Sequence, residues 1–285
     1  MTNTSQHTSN LTLVTGGTGK TGRRVIERLE ARGVPVRIGS RSAALPFDWN
    51  DASTWAPVLE GVASAYIVYY PDLAVPGAAE TIQAFTDQAV ESGVQRLVLL
   101  SGRGEEEAQR SERIVQGAKT DWTILRATWF SQNFSEGFMR DLVLSGVVAL
   151  PASDIREPFV DVEDIADIAV AALTEPGHAG QLYELTGPRL LTFTEAVEEI
   201  AKATGLEVTY VPISHEAFIS ALKEQEVPPA YVWLLGYLFR EVMDGRNSHL
   251  TDGVQRALGR APRDFSEYAR EAAAAGFWKK EEVPA

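Results

Sequence analysis

The sequence contains no cysteine, which excludes thiolate nucleophiles, disulfide frameworks and cysteine-ligated zinc. Histidine is scarce: His7, His178, His215 and His249 form no HxxxH or clustered pattern, so no metal site is expected. Each of the four reads as a surface or helix residue. Positive charge is also short. The 26 Lys and Arg face 39 Asp and Glu, a net charge of -13, which repels nucleic-acid phosphates and anionic lipid and argues against both as partners. The apolar stretch 230–239 is too short to span a bilayer. Residues 1–10 are polar and carry neither the basic nor the apolar region of a signal peptide, so they and 281–285 are expected to fray, and the expected location is the cytoplasm.

What is present is an ordinary globular composition, 45% hydrophobic over 285 residues, enough to bury a full core. The chain is organised around Val14-Thr15-Gly16-Gly17-Thr18-Gly19-Lys20-Thr21-Gly22. This loop lies between an apolar run at 11–14 and an amphipathic helix carrying Val25, Ile26 and Leu29 on one face, with Gly33 as its stop. Gly16, Gly19 and Gly22 are spaced for a tight strand-to-helix turn, backbone approach to a phosphate, and close helix–strand packing. The helix N-terminus would then offer free N–H groups and the positive dipole end to a pyrophosphate. A purely structural glycine turn is the plainer alternative.

A second strand at 35–38 ends in Gly39-Ser40-Arg41-Ser42, with no Asp or Glu between Glu30 and Asp48. An NAD site wants a carboxylate there for the ribose 2′-hydroxyl, whereas Ser40 and Arg41 suit a 2′-phosphate. NADPH is therefore the expected cofactor, against a solvated loop arginine. Residues 44–48 read as a third strand, where Asp48 either accepts from an adenine amino group, with Trp49 beside it, or caps the segment 51–59. A buried strand at 62–69 places Tyr69 and Tyr70 at its carboxyl end, near where ligands of open α/β sheets lie.

A helix at 77–92, a strand at 96–100 ending at Ser101, a helix begun by Glu105-Glu106-Glu107, and a strand at 122–126 continue a β-α-β alternation that implies a parallel sheet. The aromatic cluster Thr128-Trp129-Phe130-Ser131-Gln132-Asn133-Phe134 follows. It could wall in a flat substrate, with Trp129, Phe130 and Asn133 as its contacts, while core packing absorbs part of it. Asp161 is expected to cap a helix with Ile165, Ile168, Ala169 and Ala172 inward. Then come a strand at 181–185, a capping box Thr192-x-x-Glu195 whose helix stops at Gly205, a strand at 207–211, and helices near 215–222, 230–239 and Tyr268. The helix at 230–239 covers the cleft, forms a subunit interface, which would imply a homodimer, or is core. The expected fold is α/β: a Rossmann-type doubly wound parallel sheet over 11–185, with a smaller, mostly helical C-terminal substrate domain over 186–285.

A nicotinamide site invites comparison with enzymes whose Tyr-x-x-x-Lys pair protonates a carbonyl oxygen. Here no tyrosine is followed four residues later by lysine, and none occurs between Tyr70 and Tyr183. The chemistry must need little acid from the protein, as in hydride transfer to a cationic C=N+ or to a conjugated acceptor that water then protonates. Ser101 is the hydroxyl best placed for a polar contact, ahead of Asp72, Arg103 and Glu107.

Taken together, the glycine loop with its downstream arginine, Leu97-Val98-Leu99-Leu100-Ser101, Thr123-Ile124-Leu125-Arg126-Ala127-Thr128-Trp129-Phe130-x-x-Asn133-Phe134 and Pro158-Phe159-Val160-x-Val162-x-Asp164-Ile165-Ala166 resemble the NmrA-like branch of atypical short-chain dehydrogenases. Ser40-Arg41-Ser42, Phe47-Asp48-Trp49, Leu185-Thr186-Gly187-Pro188-x-Leu190-Leu191-Thr192 and Glu226-Val227-Pro228 make the chain similar, within that branch, to ergot-alkaloid reductases of the agroclavine and festuclavine dehydrogenase type. The resemblance spans about residues 11–275. It implies NADPH-dependent reduction of a cyclic iminium or similar unsaturated, small and flat acceptor. Other NmrA-like members suggest a quinone or dye reductase, or a non-catalytic NADP(H) sensor that binds a protein partner. Ala127 stands where the family often has proline, and Ala108 and Glu112 where relatives keep a polar or basic pair.

Overall fold

The computed structural model describes residues 10–279; the expected fraying of 1–9 and 281–285 lies outside the described residues. The first apolar run forms strand β1 (Thr12–Thr15), fully buried, and the glycine loop turns it into helix α1 (Lys20–Ala31). Then follow β2 (Val36–Gly39), a 3-10 turn at Ala52–Thr54, α2 (Trp55–Leu59), β3 (Ser64–Ile67), α3 (Ala78–Glu91), β4 (Arg96–Gly102), α4 (Glu106–Gln116) and β5 (Asp121–Ala127). After a second 3-10 turn at Ser131–Phe134 come α5 (Phe138–Ser145), β6 (Val147–Leu150), α6 (Val162–Thr174), β7 (Gln181–Leu185), α7 (Phe193–Thr204) and β8 (Thr209–Pro212). The chain ends in α8 (His215–Glu224), α9 (Pro229–Tyr237), a π-turn at Leu238–Val242, α10 (Gly253–Leu258) and α11 (Phe265–Ala274).

Six strands form one sheet in the order β2-β1-β3-β4-β5-β7, and β2, β1, β3 and β4 run parallel. The order reverses between β1 and β3, which is the switch point where such sheets take ligands. The expected strand at 44–48 does not form. Pro46 has no N–H to give a ladder, and the amides of Ala43 and Phe47 both return to the Ser40 carbonyl at 3.3 and 3.0 Å. The segment is therefore a loop closed on the end of β2, and β2 is the sheet edge. Helix α4 starts at Glu106, with Glu106 and Glu107 in the dipole-favoured first turn, while Glu105 is buried.

Two compact units make up the chain. The first comprises Met1–Ser101, Glu106–Arg126 and Ala166–Tyr183; the second comprises Gly102–Glu105, Ala127–Ile165 and Glu184–Ala285. In this division 127–165 groups with the residues from Glu184 onward. In the first unit Leu13, Trp55, Ile67, Ile82, Phe85, Leu97, Leu99 and Ile124 form the core. His178, expected at the surface or in a helix, is instead buried between α6 and β7, with Nδ1 3.0 Å from the Tyr183 hydroxyl. The second unit packs Phe134, Phe159, Phe193, Phe239 and Phe265 around the two-stranded parallel sheet β6-β8.

Helix ends in the second unit follow the sequence closely. Thr192 accepts from the Glu195 N–H at 3.1 Å while Glu195 accepts from the Thr192 N–H at 2.8 Å, the reciprocal cap read from Thr192-x-x-Glu195. Asp264 caps α11 by accepting from the Ser266 N–H and is clasped by Arg189 through bonds of 2.7 and 3.0 Å. The Arg189 guanidinium holds the Asp264 carboxyl down to about 2. A depressed folded-state value means that this stabilisation is complete above the ordinary Asp value and is lost as pH falls through about 2. Because the pair is part-exposed, Asp264→Ala should cost only about 1 kcal/mol at neutral pH. Urea unfolding at pH 7 and at pH 3 checks this, with a smaller difference between variant and parent at the lower pH.

Candidate functional site

Strand β1 ends in a loop built for close approach. Gly16 sits at φ +63°, and a Cβ there would press on Val68 beyond β3 at 3.2 Å. The Thr15 hydroxyl accepts from the Val68 N–H at 2.8 Å and lies 3.2 Å from the Tyr66 carbonyl, stitching the ends of β1 and β3 together at the switch point. Gly19 donates to the Gly16 carbonyl at 2.8 Å and occupies the N-cap of α1 in an extended conformation with no side-chain cap. A Cβ on Gly22 would lie 2.2 Å from the Gly16 carbonyl oxygen, so only glycine lets α1 sit this close to the turn.

The first turns of α1 hold Lys20, Arg23 and Arg24 and no acid. Cations at the positive end of a helix dipole are unfavourable on their own. N–H groups without a side-chain cap and the absence of a first-turn carboxylate are the features an anion such as a pyrophosphate would need at this end, while Arg24 is buried and donates to the Lys20 carbonyl at 2.8 Å. Thr18 is exposed at the loop tip, whereas Thr21 is buried beneath it.

At the end of β2 the two nearby arginines have different fates. Arg37 is committed to the structure, donating to the carbonyls of Val58 and Glu60 at 2.7 Å each. Arg41 is exposed and makes no hydrogen bond or ion pair among the described residues, while Ser40 and Ser42 face each other at 3.3 Å. Asp48 Oδ1 accepts from the Asn50 N–H at 3.0 Å, and the cap on the turn at Ala52–Thr54 comes from Asp51. Trp49 belongs to the core: it is 8% exposed, donates from Nε1 to the Val68 carbonyl at 3.1 Å, and packs edge-on against Phe47 and Phe85. Tyr69 leans on Trp49 at 5.1 Å, and Tyr70 is 57% exposed.

Ser101, at the carboxyl end of β4, is buried and donates to Glu112 on α4 at 2.6 Å. Its proton is therefore committed, and it is not a ready proton donor. Sequence reading noted Glu112 only as a departure and missed this bond; the sole signal was the i,i+4 spacing of Ala108 and Glu112, which places both on one face of α4. Of the weaker candidates, Arg103 serves the fold of the second unit, donating to the carbonyls of Asn247 and His249 at 3.0 Å each. Glu107 pairs with Arg110, and Asp72 accepts from the Ala74 N–H.

In the second unit the aromatic cluster divides. Phe134 is fully buried, whereas Trp129, Phe130 and Asn133 are half-buried. Trp129 rests against Phe239 at 5.2 Å, and its Nε1 finds no hydrogen-bond acceptor among the described residues. The segment is pinned by bonds from the Ser131 N–H to the Val160 carbonyl and from the Val160 N–H to the Trp129 carbonyl, at 2.8 and 3.0 Å. Gln132 spans Asp161 and the Val162 N–H, and Asp161 accepts from the Glu163 N–H, so it caps α6 as expected. Glu157 accepts from the Thr128 hydroxyl. Burial pushes the carboxyls of Glu157, Asp161 and Asp164 above the usual range, against the pull of Arg103, Arg263 and Arg260 respectively. Helix α9 is partly core, through Val232 and Leu234; Trp233 stacks on Tyr237 at 5.4 Å beside a cavity of about 660 Å³.

Among the described residues no cluster of His, Asp or Glu could hold a metal ion. None of the described helices is long and apolar enough to cross a membrane.

Several known proteins are similar to the chain. The oxidoreductase YesF of Bacillus subtilis is 32% identical over 277 residues, covering 93% of this chain and 96% of that protein. Agroclavine dehydrogenase of Claviceps fusiformis is 28% identical, over 91% of this chain and 96% of its own. Triphenylmethane reductase of Citrobacter sp., solved with NADP(H), superposes with a TM-score of 0.74 at 21% identity over 92% of this chain and 99% of its own. The NmrA-like family matches residues 8–269, and the chain belongs to that family.

Proposed function

We propose that this chain is an NADPH-dependent reductase that delivers hydride to a cyclic imine, an iminium or a conjugated acceptor on a small flat molecule, without a Tyr-Lys pair. The observation that carries the cofactor reading is the pairing of an α1 N-terminus without a side-chain cap or first-turn acid with an exposed Arg41 that makes no hydrogen bond or ion pair among the described residues. The first would hold the pyrophosphate through Gly16, Thr18, Gly19, Lys20, Thr21 and Gly22; the second, with Ser40, the 2′-phosphate. Asp48, Tyr69 and Tyr70 are proposed to border the adenosine and nicotinamide. Trp49 contributes from beneath, through its packing on Tyr69.

The cofactor supplies hydride, and an iminium accepts it with no proton required, giving the amine. The names of the similar reductases and dehydrogenases support the reaction class, and Trp129, Phe130 and Asn133 are the residues we assign to the acceptor. Ser101 would touch the reacting end as a polar contact and not as an acid.

NADPH oxidation with a panel of cyclic iminium, enone and quinone acceptors tests the reading. Turnover with an iminium or enone is expected, quinone-only turnover would make the chain a quinone reductase, and tight NADPH binding with no turnover would make it a sensor. Arg41→Ala should raise the Kd for NADPH roughly 10- to 100-fold, as expected for a lost charge-assisted contact, and leave that for NADH nearly unchanged. Equal losses for the two cofactors would reject the 2′-phosphate assignment. Fluorescence titration reads both.

A further inference from the structure

The Ser101 hydroxyl stands at the carboxyl end of β4, on the side of the sheet where ligands of this fold lie. Its single proton goes to Glu112 Oε1 at 2.6 Å. Glu112 is 1% exposed, and its carboxylate is fixed from the other side by Arg126, through Nε to Oε1 at 2.8 Å and Nη2 to Oε2. Arg126 pairs with the buried carboxylate. A hydroxyl has one proton and two lone pairs. With the proton held by Glu112, only the lone pairs of Ser101 Oγ are left to meet a ligand.

On the inward face of α4, one turn from Glu112, Ala108 is fully buried and offers only a methyl group. Ser111, buried on the same helix, spends its proton on the Glu107 carbonyl at 3.1 Å, so neither residue directs a donor at an acceptor oxygen. An outward lone pair is the negative end of a dipole. It attracts a cationic C=N+ and repels a quinone or enone oxygen, which needs a donor.

We propose that Glu112 is a positioning residue that locks the Ser101 hydroxyl as a hydrogen-bond acceptor and thereby selects cationic acceptors over neutral carbonyl ones. The proposal rests on the reductase reading above and narrows it to the cationic class. Replacement by the near-isosteric amide reverses the polarity. In Glu112→Gln the amide oxygen, in the place of Oε2, keeps Arg126 Nη2, while the amide NH2, in the place of Oε1, donates to Ser101 Oγ; the Arg126 Nε–H gives up its acceptor there, and the Ser101 hydroxyl proton is released.

The test is equilibrium binding of two flat probes of similar size, N-methylisoquinolinium and 1,4-naphthoquinone, to the protein with NADP+, read by calorimetry. The parent should prefer the cation. Glu112→Gln should lower that preference roughly tenfold, the scale of one hydrogen bond, by weakening the cation and strengthening the quinone. Ser101→Ala, which leaves the Glu112–Arg126 pair intact, should weaken the cation without strengthening the quinone. This second variant keeps the test decisive if Glu112→Gln fails to fold. A parent that binds both probes equally, or neither, overturns the proposal, as does a preference unchanged in Ser101→Ala. Absence of turnover with every acceptor would instead sink the reductase reading while the binding ratio still reports on Ser101.

Discussion

Gly22→Ala is expected to abolish tight dinucleotide binding and to lower stability by about 1–3 kcal/mol. The added Cβ would sit 2.2 Å from the Gly16 carbonyl oxygen, 2.8 Å from its carbonyl carbon and 2.9 Å from Gly17 Cα. All three are backbone atoms, so no flexible side chain can swing away. Relief requires α1 to lift off the turn, and that movement takes the uncapped N–H groups away from the place where the phosphates would sit. Loss of that geometry should raise the Kd for NADPH by more than about 100-fold, corresponding to about 3 kcal/mol. NADPH fluorescence titration and urea unfolding measure the two effects separately, and an unchanged Kd would show that the loop does not hold the cofactor.

Phe193→Ala should be costlier to the fold, at about 3–5 kcal/mol. Phe193 is fully buried and meets the rings of Phe159 at 5.2 Å, Phe134 at 5.9 Å, Tyr210 at 6.0 Å, and Trp129 and Phe239 at 6.3 Å each. Phe134, Tyr210 and Phe239 belong to the second 3-10 turn, β8 and the π-turn, and Phe159 and Trp129 to the segments between elements, so no single movement closes the hole. Trp129 is one of them, and its emission should shift toward that of a more solvated indole. Urea unfolding followed by circular dichroism gives the stability change; a cost under about 1 kcal/mol would mean that the cluster collapses onto the gap.

The features legible in the sequence were those set within a few residues. The glycine loop, the cap of Thr192 on Glu195, and Asp161 at the start of α6 depend on local spacing, and spacing survives in a bare sequence. The strand expected at 44–48 failed because composition favoured it, while the amides of Ala43 and Phe47 had a nearer acceptor in Ser40. Glu105 reads as a dipole-favoured acid in a run of three. Its carboxylate instead lies where a Cβ on Gly102 would be, 2.1 Å from that position to Oε1. The Ser101–Glu112–Arg126 group joins two strands and a helix, and no pattern within any one of them announces it. Trp49 shows the same limit in reverse: an aromatic beside a candidate adenine contact turns out to be held mainly by Phe47, Trp55, Tyr69 and Phe85.

The way the chain is shared between its two units bears on how it can fold as it leaves the ribosome. The first unit needs 166–183 as well as the early strands, and the second collects 102–105 and 127–165 long before its remaining residues exist. Neither unit is complete when the other begins, so sequential domain-by-domain folding is closed to this molecule. The parallel pairing of β1 with β3 already joins residues about fifty apart, such as Thr12 and Ser64, and contacts of such sequence separation form slowly. For much of its synthesis the chain exposes unpaired strand edges and half of an aromatic core, the state in which nascent chains most often aggregate. Truncations at the apparent domain border would prolong that state.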